Sequence, residues 1–144
     1  MEVIAVASDH AGYEMKNAVI EHLKLKRYSI KDFGCYSEES CDYPDYAHPL
    51  AQAMERGEHK RAVVFCGSGN GINMTVNKYP GIRSAICWNK ELAMLARHHN
   101  DANICSLPAR FMTNDEAIAI TDIFLNEGFD GGRHLNRILK VPIH

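Results

Sequence analysis

A chain of 144 residues with a formal charge of −2, from 16 basic and 18 acidic side chains, is sized for one domain (1–144) with a real core. Its charges are dispersed, with no basic run suited to nucleic acid, and no apolar segment approaches the length that crosses a bilayer. The first residues lack a charged-then-apolar leader design, so the expected location is the cytoplasm.

Residues 2–7 (EVIAVA) read as a buried strand, and residues 11–24 as a helix with Met15, Ala18, Val19, His22 and Leu23 on one side. Residues 28–33 form a second strand closed by Gly34. A loop containing Pro44 leads to a helix over 46–56 that Gly57 stops. The third strand, 62–66, runs into a short helix over 72–77 that ends at the Tyr79-Pro80-Gly81 turn. A fourth strand (82–88), a helix (90–98) and a fifth strand (102–106) follow. Asn114 is the expected cap of a helix through Asn126, and a last helix starts after Gly131-Gly132. This alternation predicts an α/β fold: a three-layer, doubly wound, Rossmann-like five-stranded parallel sheet with helices on both faces.

Ligands of such sheets bind beyond the carboxyl ends of the strands. The chemically capable residues fall there: Asp9-His10 after the first strand, Cys66-Gly67-Ser68 after the third and Arg110 after the fifth. Gly67, Gly69 and Gly71 alternate with Ser68 and Asn70, a turn whose amides can face an anionic oxygen at a helix start. The spacing fits neither the dinucleotide fingerprint nor the nucleotide phosphate loop. Cys66 stands where the positive end of that helix favours a thiolate, which makes it a candidate base; a tight strand–helix connection with a core thiol is the structural alternative.

Five cysteines without a Cys-x-x-Cys pair argue against a disulfide framework or a zinc site, and Cys87 and Cys105 read as small core residues. The run Arg97-His98-His99-Asn100-Asp101-Ala102-Asn103 is either a solvated corner or a source of an acid near neutral pH. Arg133 and Arg137, one helical turn apart, suit a phosphate, with pairing to Glu127 and Asp130 as the alternative. Tyr43, in Asp42-Tyr43-Pro44-Asp45, either lines a pocket or packs.

Together these pieces resemble the B-type ribose-5-phosphate isomerases and the wider family that includes galactose-6-phosphate isomerase subunits. The matching motifs are SDHAG at Ser8, DYPD at Asp42, CGSGNGINMTVNK at Cys66 and HNDAN at His99, with Arg110, Arg133 and Arg137. The resemblance spans essentially the whole chain. It implies an aldose–ketose isomerase that interconverts ribose 5-phosphate and ribulose 5-phosphate through an enediolate, with no metal and no organic cofactor. By the same resemblance Cys66 is the base, His99 opens the sugar ring and Ser68 assists proton traffic. The amides of residues 67–71 hold the enediolate oxygen. His10, Arg133 and Arg137 bind phosphate, and Asp9, Tyr43, Asn100 and Arg110 complete the pocket. It further implies a homodimer whose site is shared between subunits, with pairing into a tetramer left open. A six-carbon sugar phosphate substrate and a noncatalytic sugar-phosphate binding subunit are the alternatives. Two departures stand out: Ser68 where threonine is frequent, and Pro108 where glycine is usual, which bears on the aim of Arg110.

Overall fold

The computed structural model describes residues 2–143. Its apolar runs become β1 (Val3–Ser8), β3 (Arg61–Cys66) and β5 (Ile104–Pro108) at the centre of a sheet, flanked by β2 (Ser29–Asp32) and β4 (Ser84–Ile86). The strand order is β2-β1-β3-β5-β4, with every neighbouring pair parallel. The central strands are buried on both faces, which is why they read as near-continuous apolar runs rather than alternating ones.

Period-two geometry sorts their side chains between two cores. Ile4, Val6, Val63, Phe65, Cys105 and Leu107 face one core. There they meet Val19 and Leu23 of α1 (Tyr13–Leu25), Ala93 and Ala96 of α4 (Lys90–His98), and Ile120 and Phe124 of α5 (Asn114–Asn126). Ala5, Ala7, Ala62, Val64 and Cys66 face the other, with Leu50 and Ala51 of α2 (Tyr43–Glu55) and Ile72 and Val76 of α3 (Asn70–Val76). The small alanines of β1 let α2 approach the sheet closely. A last helix, α6 (Arg133–Leu139), has no buried residue.

Several boundaries differ from the sequence expectation. Helix α2 starts at Tyr43 rather than 46, because Pro44 falls in its first turn, where a missing N–H costs nothing. Thr113, not Asn114, caps α5: its hydroxyl accepts from Glu116 N–H while the Glu116 carboxylate accepts from Thr113 N–H, a capping box. Strand β4 shrinks from 82–88 to three half-buried residues, as suits a sheet edge. Strand β5 is displaced two residues onward and ends on Pro108. A proline is tolerated there because the next ladder bonds come from Ala109 N–H to the Cys66 carbonyl and Arg110 N–H to the Gly67 carbonyl, both 2.9 Å.

Candidate functional site

Connections leave β1 toward β2 on one side and return to β3 on the other, so the order reverses between β1 and β3. The carboxyl ends of the strands at such a switch point are where sheets of this topology hold their ligands. Ser8-Asp9-His10 leaves β1 at this point and Cys66-Gly67-Ser68 leaves β3 beside it. Asp9 caps the short 3-10 turn His10–Gly12 by accepting from Gly12 N–H at 3.1 Å, and it is buried. His10 Nδ1 lies 3.2 Å from both the N–H and the carbonyl oxygen of Cys41, so that backbone fixes the ring in either tautomer. Burial and the neighbouring Cys35 thiol push the Cys41 thiol up from its ordinary range.

Lys16 holds the segment that follows β2. Its ammonium is fully buried and donates to Asp32 Oδ1 at 2.8 Å and to the Cys35 carbonyl at 2.6 Å. A charge so enclosed persists only with such partners.

The glycine turn is shaped as an anion cradle. Gly69 takes φ 75°, a left-handed conformation that suits glycine, and caps α3. Its carbonyl accepts from the buried Ser106 hydroxyl at 2.8 Å, and Asn70 N–H donates to Ser68 Oγ at 3.2 Å. Among the described residues, the N–H groups of Gly67, Ser68, Gly69 and Gly71 meet no protein acceptor. The Arg110 side chain lies across Gly67, and the Tyr43 ring covers Gly71 so closely that no side chain fits at that position. A cleft of ≈ 450 Å³ opens beside the turn, lined by Ser68, Asn70, Ile86, Trp88, Pro108 and Phe111. That volume is within the range of small-molecule sites, about 300–1,000 Å³.

Cys66 directly precedes the turn but does not line the cleft: it is only 3 % exposed and belongs to the core cluster of Ala7, Val64 and Ile72, against which Tyr43 packs. The structure therefore brings together Asp9, His10, Tyr43, Cys66, the glycine turn and Arg110.

It does not bring His99, Asn100, Arg133 and Arg137 into contact with them. His99 and Asn100 end α4 and are exposed, and Arg133 and Arg137 lie exposed on α6. The alternative partners of these arginines are engaged elsewhere: His98 Nδ1 meets Asp130 Oδ1 at 2.6 Å and Nε2 meets Glu127 Oε2 at 3.0 Å. Hydrogen bonding to Asp130 and then Glu127 raises His98 above the usual histidine range. Among the described residues no ion pair involves Arg133 or Arg137.

One residue escaped the sequence reading. His134 stacks on His99 with ring centroids 4.3 Å apart and planes 11° from parallel. Burial, then the charge of His99 and of the two arginines, lowers His134 below the usual range. The only available signal was its place between Arg133 and Arg137.

The chain belongs to the ribose/galactose isomerase family, whose profile matches residues 4–141. It is 42% identical over 139 residues to a protein named probable ribose-5-phosphate isomerase B from Mycoplasma pneumoniae, covering 96% of this chain and 91% of that one. Among solved structures it is similar to a ribose 5-phosphate isomerase from Thermotoga maritima, with TM-score 0.96 and 45% identity over 98% of this chain and 97% of that one. It is also similar to ribose-5-phosphate isomerase B from Mycoplasma genitalium with bound ribulose-5-phosphate, with TM-score 0.91 and 39% identity, covering 96% and 93% of the two chains. Among the described residues no helix is long and apolar enough to cross a membrane.

Proposed function

We propose that the protein interconverts ribose 5-phosphate and ribulose 5-phosphate by moving a proton between C2 and C1. The observation that carries this reading is the meeting of Cys66 with a turn of unpartnered amides at the switch point of the sheet. Likeness to a relative solved with ribulose-5-phosphate gives the substrate class.

In this reading His99 assists ring opening: the O1 hydroxyl gives up its proton as the C1–O4 bond breaks, and O4 takes a proton as the aldehyde forms. Cys66 Sγ then takes the C2 proton. The electrons move onto the carbonyl oxygen, and the charge rests on the amides of residues 67–71, where preorganised donors stabilise it without reorganisation. Return of the proton to C1 completes the ketose, with Ser68 near enough to the turn to pass protons between the oxygens. Arg133, Arg137 and His10 hold the phosphate, and Asp9, Tyr43, Asn100 and Arg110 bound the sugar.

His99 makes no contact with the Cys66 half inside one chain and ends a helix rather than a strand, and a second copy that supplies the His99 half would bring the two to one substrate. We therefore assign the active form as a homodimer, with each site built from the Cys66 half of one subunit and the His99 half of the other. Exposed Trp88 (61 %), Phe111 (77 %) and Leu139 (60 %) offer apolar surface for that pairing.

The test is turnover of ribose 5-phosphate beside galactose 6-phosphate and allose 6-phosphate in the same assay. Preference for the five-carbon substrate supports the reading. A rate confined to a six-carbon substrate moves the assignment within the family, and inactivity on all three overturns it in favour of a binding subunit.

A further inference from the structure

The end of α4, the loop before α6 and the first turn of α6 converge on one spot. Asp130 N–H donates to the His98 carbonyl at 3.0 Å, and His98 grips the Asp130 carboxylate, so the loop is pinned against the helix end. Three donors result, one each from His99, Asp130 and His134, all within 4.8 Å of one another. His99 and His134 make no hydrogen bond through their rings among the described residues, whereas the adjacent His98 is fully committed.

We propose that His99, Asp130 and His134 form an inhibitory site for a borderline divalent metal ion, with Zn²⁺ the best fit. Two imidazoles and one carboxylate with an open fourth position is a donor set that zinc accepts, and imidazole excludes calcium and magnesium as natural occupants. The carboxylate already has the outer partner that orients metal-binding acids, here His98. Zinc–nitrogen bonds of about 2.0–2.1 Å need the donors closer than they stand, so the stacked rings turn toward the ion. His99 is exposed and free to do so. Arg133 and Arg137 oppose a cation here, which makes binding reversible by a chelator rather than permanent.

The ion occupies the His99 nitrogen that ring opening uses, so the inhibitory consequence rests on the proposed function, while the binding itself does not. The ion is an inhibitor, not a participant in the reaction.

The experiment is calorimetric titration of the metal-free protein with Zn²⁺ alone, for wild type, His134→Gln, Asp130→Asn and Cys66→Ala. Activity on ribose 5-phosphate is followed in parallel, with and without EDTA. The expected result is saturable binding of one ion per protomer, weakened roughly tenfold or more in His134→Gln and Asp130→Asn and unchanged in Cys66→Ala. Zinc also lowers wild-type turnover, and EDTA restores it. Wild-type affinity in both His134→Gln and Asp130→Asn, or loss of binding in Cys66→Ala alone, overturns the site. Binding that follows the expected pattern in a protein inactive on ribose 5-phosphate supports the site and counts against the functional reading instead.

Discussion

The two halves of the candidate site are built in opposite ways. The half at β1 and β3 is sunk into the sheet: Asp9 and Cys66 are buried, the turn is fixed by Ser106, and Tyr43 closes over Gly71. The half at α4 and α6 stands in solvent, on a helix end and a short helix that buries nothing, held by the ion pairs of His98, the Asp130 N–H bond to the His98 carbonyl and the Arg97 bond to the Glu127 carbonyl. Proton abstraction from carbon needs fixed geometry and donors that do not reorganise. Phosphate capture and ring opening need charge and reach. On the proposed function, the buried half would serve the proton transfer at carbon, and the exposed half phosphate capture and ring opening.

Perturbing each half in turn should expose the division. Cys66→Ala should lower kcat by about 10²–10⁴-fold, the usual contribution of a positioned general base, while calorimetry still detects ribulose 5-phosphate binding. Near-normal kcat would remove the sulfur from the reaction and return Cys66 to the core. Arg137→Ala should act on the other side of the divide, raising KM roughly ten- to hundredfold through one lost charge-assisted contact, with a smaller change in kcat. A kcat loss equal to that of Cys66→Ala would erase the contrast between the halves.

Gly71→Ala should destabilise the rigid half by about 1–3 kcal/mol, because the added methyl meets the Tyr43 ring in packed surroundings. Thermal melting should register this as a drop of several degrees; an unchanged melting temperature would mean that the half is looser than described.

The smallest effect concerns His98. Its folded value lies above the unfolded value of about 6.5, so the stabilisation from Asp130 and Glu127 is full below that pH and disappears as pH rises through the raised folded value. His98→Gln should therefore lower stability at pH 6 and converge on wild type at pH 9. Equal differences at both pH values would mean that packing, not charge, is what His98 supplies.

The three central strands were legible because burial on both faces leaves apolar runs, whereas the half-buried edge strand β4 was read too long. Helix starts were less so. Thr113 and Glu116 carried a capping-box signal that a reading centred on Asn114 passed over, and Pro44 suits a first helical turn as well as a loop. The rigid half could be read because its residues directly follow strands. His99 was already conspicuous as a residue that ends a helix instead. What no local pattern contains is the stacking of His134 on His99, or the engagement of Asp130 by His98, since both arise only when α6 folds back on the end of α4. The doubt raised by Pro108 also required coordinates: the backbone donors of Ala109 and Arg110 keep the strand end in register, and Arg110 stays over Gly67.

Mixing two crippled chains tests the shared site most directly. Cys66→Ala and His99→Ala, each nearly inactive alone, are combined in equal amounts, and subunit exchange is verified by mass. Half of the dimers are then mixed and each has one intact site, so activity should recover to roughly a quarter of wild type. Fully exchanged mixtures no more active than their parents would mean that Cys66 and His99 do not meet across two subunits, and the account would be wrong at its centre.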